Sequence, residues 1–220
     1  MIPHHDDVKT LYYVKPRYIL GVIDPQDCFM DEGSLGVPGA RSAIPFINEC
    51  IENEEYELVF ATQDWHPSNH GSFADNNPGA KEFELGELDG LPQVFWPRHG
   101  EQNTPGAEFV KELSPRIHII IRKGMNPLRD SYSGVKDNGD KATAYYTPLR
   151  DTLRQVKPDR IDLVGFATDY CVGYTALDLR ELGYNVRVLL RGCRGVNPET
   201  TREMIQKLID AGVEVVEWNS

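Results

Sequence analysis

Arg160-Ile161-Asp162-Leu163-Val164-Gly165-Phe166-Ala167-Thr168-Asp169-Tyr170-Cys171-Val172 is the stretch on which the fold turns. It opens as a short apolar run that stops at a glycine, the pattern of a buried strand. A short turn follows, and then the spacing changes. Val172, Thr175, Ala176, Leu179 and Leu182 lie along one helical face, and Gly183 stands where that helix should stop. The same alternation extends in both directions. Residues 185–190 and 213–218 read as strands, separated by a helix with Met204, Ile205, Leu208 and Ile209 on one face. Asn197-Pro198-Glu199 supplies that helix with an N-cap and a first-turn proline, and Gly212 with a stop. Upstream, residues 18–23, 58–63 and 118–122 read as strands, and Ile44, Ile47 and Ile51 mark one more helical face. Strand and helix in alternation give an α/β protein, a Rossmann-like three-layer αβα arrangement around a six-stranded, mainly parallel sheet. We place this domain at residues 17–220 and treat residues 1–16 as an N-terminal extension.

In such sheets the ligand crevice lies beyond the carboxyl ends of the strands. Those ends carry Asp24, then Asp64-Trp65-His66, then Lys123, then Ala167 to Cys171. One polar strand end means little, but four in succession point to a site. Cys171 falls near the start of a helix, where free N–H groups and the dipole lower a thiol pKa and could hold an oxyanion. Asp24 is a candidate base for the thiol, and Lys123 a cation to steady the anions. Asp64 and His66, two residues apart in extended chain, point the same way and could share a metal ion. His99, from the long segment 67–102, is a candidate third ligand and His70 a possible fourth. An Asp/His/His set with open positions suits Zn²⁺, Fe²⁺ or Mn²⁺. Phe29 and Trp96 flank these groups and could hold a flat ring. Cys28, Cys50 and Cys193 read as core thiols.

Composition narrows the classes. With 23 Lys and Arg against 34 Asp and Glu the formal charge is −11, which disfavours nucleic-acid binding. No apolar run approaches the ~20 residues of a membrane span, and the polar N-terminus has no signal-peptide core, so the chain reads as cytosolic. Four widely spaced cysteines without a CxxC pair argue against both a disulfide framework and a thiolate zinc site.

Together these residues resemble the nicotinamidase branch of the isochorismatase-like hydrolases, over almost the whole chain. The carriers are Asp24-Pro25-Gln26-Asp27-Cys28-Phe29, Thr62-Gln63-Asp64-Trp65-His66-Pro67-Ser68-Asn69-His70, Trp96-Pro97-Arg98-His99, Asn103-Thr104-Pro105-Gly106-Ala107-Glu108-Phe109, Asp130-Ser131-Tyr132-Ser133-Gly134 and Gly165 to Val172. The resemblance implies a triad of Asp24, Lys123 and Cys171. It implies one divalent metal, zinc foremost, on Asp64, His66 and His99. It also implies an oxyanion hole from the N–H groups of Ala167 and Cys171, a cis peptide before Ala167, and a pocket lined by Phe29, Trp96 and Tyr132. The activity implied is hydrolysis of nicotinamide, a linear amide, to nicotinate and ammonia through a cysteine thioester, in NAD salvage, with pyrazinamide as a side substrate. The alternative is a related amidase acting on a carbamoyl or ureido substrate. A homo-oligomer is expected by the same resemblance. Three positions depart from the family pattern: Gly100 where cysteine is frequent, Asp27-Cys28 in the first motif, and Val135 in place of an aromatic.

Overall fold

The computed structural model describes residues 15–140 and 142–217. The N-terminal extension, apart from Lys15 and Pro16, therefore lies outside the described residues, as does the end of the strand expected at 213–218. Six strands form one sheet: β1 (Tyr18–Ile23), β2 (Tyr56–Asp64), β5 (Ile119–Lys123), β6 (Arg160–Phe166), β7 (Val186–Arg194) and β8 (Glu214–Val216). Their order is β5-β2-β1-β6-β7-β8, and every neighbouring pair is parallel. The side chains of β1 alternate between two apolar layers, as the period of a strand requires. Leu20 and Val22 pack with Ile44, Ile47 and Ile51 of α1 (Ala40–Glu52). Ile19 and Ile23 face the opposite layer, which holds α2 (Pro148–Val156), α3 (Gly173–Glu181) and α4 (Pro198–Asp210) through Leu149, Leu153, Ala176, Leu179 and Leu208. This is the three-layer arrangement expected from the sequence.

The caps behave as read. The Asn197 side chain accepts hydrogen bonds from the N–H groups of Glu199 and Thr200, and Pro198 opens α4. Gly183 and Gly212 follow α3 and α4 with φ of 92° and 78°. Two elements were not expected. One is α2, capped by Thr147, whose side chain accepts from the N–H of Leu149. The other lies inside the segment read as one long loop: an antiparallel hairpin of β3 (Leu85–Leu88) and β4 (Leu91–Val94). Its turn, Asp89-Gly90, has positive φ at both residues, 52° and 75°, matching the twist of the flanking strands.

The strand order places the site. From β1 the sheet continues to β2 on one side and to β6 on the other, so the crevice opens beyond the ends of β1 and β6. Gly165 lets these ends close up. Its φ is +121°, and a Cβ there would lie 2.1 Å from the carbonyl oxygen of Ile23. Among the described residues no helix is long and apolar enough to cross a membrane.

Candidate active site

Asp24 follows β1 directly, with φ +47°, a conformation that aspartate tolerates better than most residues. Lys123 ends β5, and Cys171 lies in the wide turn Thr168–Val172 between β6 and α3. The sheet brings the three side chains together, all buried. Lys123 Nζ lies 3.0 Å from Asp24 Oδ2, 2.5 Å from Asp64 Oδ1 and 3.3 Å from Cys171 Sγ, and donates to the carbonyl of Ser131 at 3.0 Å. One ammonium is thus shared by two carboxylates and a thiol. Burial would release its proton, but Asp24 and Asp64 hold it well above the ordinary lysine value.

Cys171 differs from the local sequence reading. Burial pushes its thiol well above the ordinary value; Lys123 pulls it down, and the negative charges of Asp24 and Asp64 push it up again. A fully covered sulfur facing two carboxylates is held in its neutral form against the pull of Lys123. The resting group is therefore a thiol. Asp24 is also raised by burial, to about 6, against the pull of Lys123. The peptide between Phe166 and Ala167 is cis, and Ala167 and Cys171 line one cavity with Asp64 and His99.

On the far side of Asp64 stands a histidine pair. Asp64 Oδ2 lies 3.7 Å from His66 Nε2 and 3.9 Å from His99 Nε2. His66 Nδ1 bonds the carbonyl of Gly124 and His99 Nδ1 that of Pro97, each at 2.7 Å. A carbonyl only accepts, so both rings carry their proton on Nδ1 and, when neutral, present Nε2 as a lone pair. His66 Nε2 is buried without a hydrogen-bond partner. Candidate ligand atoms of Asp64, His66 and His99 all lie within 4.8 Å of one another. Two imidazole lone pairs and a carboxylate oxygen converging in this way fit a divalent cation. Burial and the neighbouring His66, against the pull of Asp64, push His99 down to about 4, the neutral form that ligation needs, whereas Asp64 raises His66 against the effect of burial. Gly124 is required here: a Cβ on it would fall 2.3 Å from the His66 ring.

His70 stacks against His66, with ring centroids 4.2 Å apart. Its Nδ1 lies 2.7 Å from the Ser72 hydroxyl and 3.2 Å from the Ser72 backbone N–H, and its Nε2, like that of His66, is buried without a hydrogen-bond partner. With His66 and Asp130 it forms a second group whose candidate ligand atoms lie within 4.8 Å of one another.

Phe29, Trp96 and Tyr132 all line the cavity. Trp96 meets Tyr170 edge-on at 4.9 Å and Tyr132 at 6.3 Å, and Phe29 lies 5.7 Å from His99. Sequence reasoning assigned no role to several other lining residues: Leu35, Val37, Tyr170, Val196 and the buried Asp130. Asp130 and Tyr170 sit inside motifs already quoted, whereas the aliphatic three carry no local signal. Of the three departures, Gly100 has φ +52° and packs over Asp64, where a Cβ would lie 2.6 Å from the Asp64 Cβ. Cys28 and Val135 are core residues, and all four cysteines are free thiols.

Comparison with known proteins gives the family. The family model described as the isochorismatase domain matches residues 18–220. A curated nicotinamidase of Escherichia coli K12 is 43% identical over 202 residues, spanning 90% of this chain and 92% of its own. A solved nicotinamidase/pyrazinamidase of Acinetobacter baumanii superposes with a TM-score of 0.86 at 38% identity, over 91% of this chain and 96% of that one. A pyrazinamidase of Pyrococcus horikoshii, solved in complex with zinc, gives a TM-score of 0.74 at 35% identity, over 92% and 100%. The chain belongs to the isochorismatase family, and within it to the nicotinamidase branch.

Proposed function

We propose that this protein hydrolyses nicotinamide to nicotinate and ammonia, with Cys171 as nucleophile, Asp24 as general acid and base, and Lys123 as the cation between them. One observation carries the reading: a single buried ammonium binds Asp24 and Cys171 on one side and Asp64 on the other, so thiol chemistry and the histidine pair share one cavity. Asp64, His66 and His99 would hold a divalent metal, zinc foremost, which would supply a Lewis-acid anchor for the pyridine nitrogen. The zinc in the Pyrococcus relative supports that choice. His70, whose buried Nε2 has no partner, would be a possible fourth ligand.

The residues divide the work as follows. Phe29 and Trp96 hold the ring, and Tyr132 lines its rim. Cys171 rests protonated, so its proton passes to Asp24 as sulfur attacks the carboxamide carbon. A group raised to about 6 is ionised at neutral pH, yet near enough to neutrality to return the proton. The N–H groups of Ala167 and Cys171 receive the oxyanion. As the C–N bond breaks, Asp24 gives its proton to the departing nitrogen, which leaves as ammonia. Asp24 then takes a proton from water as its oxygen attacks the thioester. The C–S bond breaks, nicotinate is released, and the thiol recovers its proton. Lys123 stays charged throughout and balances whichever of Asp24 and Cys171 is anionic.

The same reading carries pyrazinamide as a side substrate and a cytosolic homo-oligomer serving NAD salvage. The experiment is ammonia release from nicotinamide by the wild-type protein and by Cys171→Ala, beside a panel of carbamoyl and ureido amides. The wild type should turn over nicotinamide, and Cys171→Ala should not. Wild-type rates in the variant would remove the nucleophile, and turnover confined to the ureido panel would remove the substrate.

A further inference from the structure

We infer that Thr62 is a positioning residue that selects which oxygen of Asp24 meets the thiol; the inference rests on the proposed role of Asp24 as base. Thr62 stands on β2, two residues before Asp64, with no exposed surface. Its hydroxyl makes two contacts with one residue. It donates to Asp24 Oδ1 at 2.6 Å and accepts from the backbone N–H of Asp24 at 3.1 Å. The second contact answers a need created by the backbone. At φ +47° Asp24 turns out of β1, and its buried N–H must find an acceptor other than a strand neighbour. The first contact breaks the symmetry of the carboxylate. With Oδ1 tied to Thr62, Oδ2 is left buried without a hydrogen bond, 3.0 Å from Lys123 Nζ. Carboxylate oxygen of Asp24 and Cys171 Sγ fall within 4.8 Å of each other.

A carboxylate without that anchor can turn about its last torsion, which is soft for aspartate. It could then offer both oxygens to Lys123, and the base would lose its fixed approach to sulfur. A hydroxyl at residue 62 is therefore required for the proton transfer, while the shape of the side chain is not. Thr62 also packs its methyl group close to Gly134, where an added Cβ would lie 2.7 Å from Thr62 Cγ2, so a role in packing alone makes the opposite demand.

Thr62→Val and Thr62→Ser separate the two. Thr62→Val keeps the shape and loses the hydroxyl; its kcat for ammonia release should fall about 100-fold, the scale of a misplaced catalytic group, with KM and metal content unchanged. Thr62→Ser loses the methyl and keeps the hydroxyl, and should recover most of the wild-type kcat. A valine variant at wild-type kcat, a loss confined to KM, or a serine variant as poor as the valine one would each overturn the assignment. Should the valine variant not fold, the serine variant still decides by its kcat. The rate of Cys171 alkylation by iodoacetamide, followed by peptide mass, reads Asp24 without the substrate. It should be slower in Thr62→Val even if nicotinamide proves to be the wrong amide, and an equal rate would count against Thr62.

Discussion

Replacing Lys123 with methionine keeps the length and bulk of the side chain and removes its charge. The ammonium lies 3.0 Å from Asp24 and 2.5 Å from Asp64, in a place with no exposed side-chain surface. Without it, two buried carboxylates with oxygens within 4.8 Å of each other lose the cation they share. At that separation and an effective dielectric constant near 20 their repulsion is about 3–4 kcal/mol. Breaking a buried ion pair by deleting one partner costs about 3–5 kcal/mol. At roughly 2–4 °C per kcal/mol for a chain of this length, Tm should fall by about 6–20 °C near neutral pH. The sign with pH follows from the carboxylates. A carboxyl group whose folded pKa is raised stabilises the fold below that pKa and loses the contribution as pH rises through it. The Tm deficit of Lys123→Met should therefore shrink on acidification. Activity carries a second signature. In the wild type, kcat/KM should fall as pH drops through about 6, where Asp24 takes up its proton. Loss of the neighbouring cation should move that limb upward by about 1–3 units. The assays are ammonia release and thermal melting across a pH series. An unmoved acid limb, or a Tm deficit that grows on acidification, would refute the account of Lys123 as counter-ion.

Three further variants test the rest of the cavity. His99→Ala removes one of the two lone pairs facing Asp64, and should lower metal affinity by more than the roughly 10–100-fold typical of losing an outer-shell partner. His70→Ala should lower it by a smaller factor, about 10-fold, and both are read by metal analysis after competition with a chelator. Trp96→Leu keeps an apolar wall but loses the flat face. KM for nicotinamide should rise about 2–12-fold, the equivalent of the roughly 0.5–1.5 kcal/mol that ring stacking adds to area burial, with kcat less affected. A KM equal to that of the wild type would take Trp96 out of ring binding.

The groups at the strand ends were legible because the sheet imposes a rule. Asp24, Asp64, Lys123 and Cys171 sit where a parallel sheet opens its crevice, and a pattern of strands in sequence is enough to find them. The hairpin at Leu85–Val94 was equally legible, since Asp89-Gly90 is a strong turn signal, but the Gly, Pro and Asn around it made the whole segment read as loop. For α2, Thr147-Pro148 repeats the cap-and-proline signature of Asn197-Pro198. The end of β7 was less accessible. Arg191 and Gly192 break its apolar run, yet pairing with β6 continues to Phe166–Arg194 after a register shift. Leu35, Val37 and Val196 could not be read at all. They reach the cavity from segments far apart in sequence, and an isolated aliphatic residue does not report what it faces. The titration of Cys171 belongs with them, because burial, the largest influence on it, is a property of the packed molecule.

Asp64 explains why the two halves of the cavity behave as one. Its Oδ1 is held by Lys123 and its Oδ2 faces His66 and His99, so neither oxygen can move toward one half without leaving the other. Its backbone is equally constrained. The Gln26 side chain accepts from the Asp64 N–H at 2.7 Å and donates to the Asp64 carbonyl at 2.9 Å, a two-point clamp reaching from the end of β1 to the end of β2. Lys123 comes from β5, paired with β2 through Asp64 itself. The placement of Lys123, between the sulfur and the histidine pair, against Asp64 is therefore set by the register of adjacent strands. A cleft with both ends fixed in that way favours a rigid substrate whose metal-binding atom and reacting carbon are themselves held at one separation. On the proposed function an aromatic ring carrying both meets that requirement, and a flexible ureido chain does not.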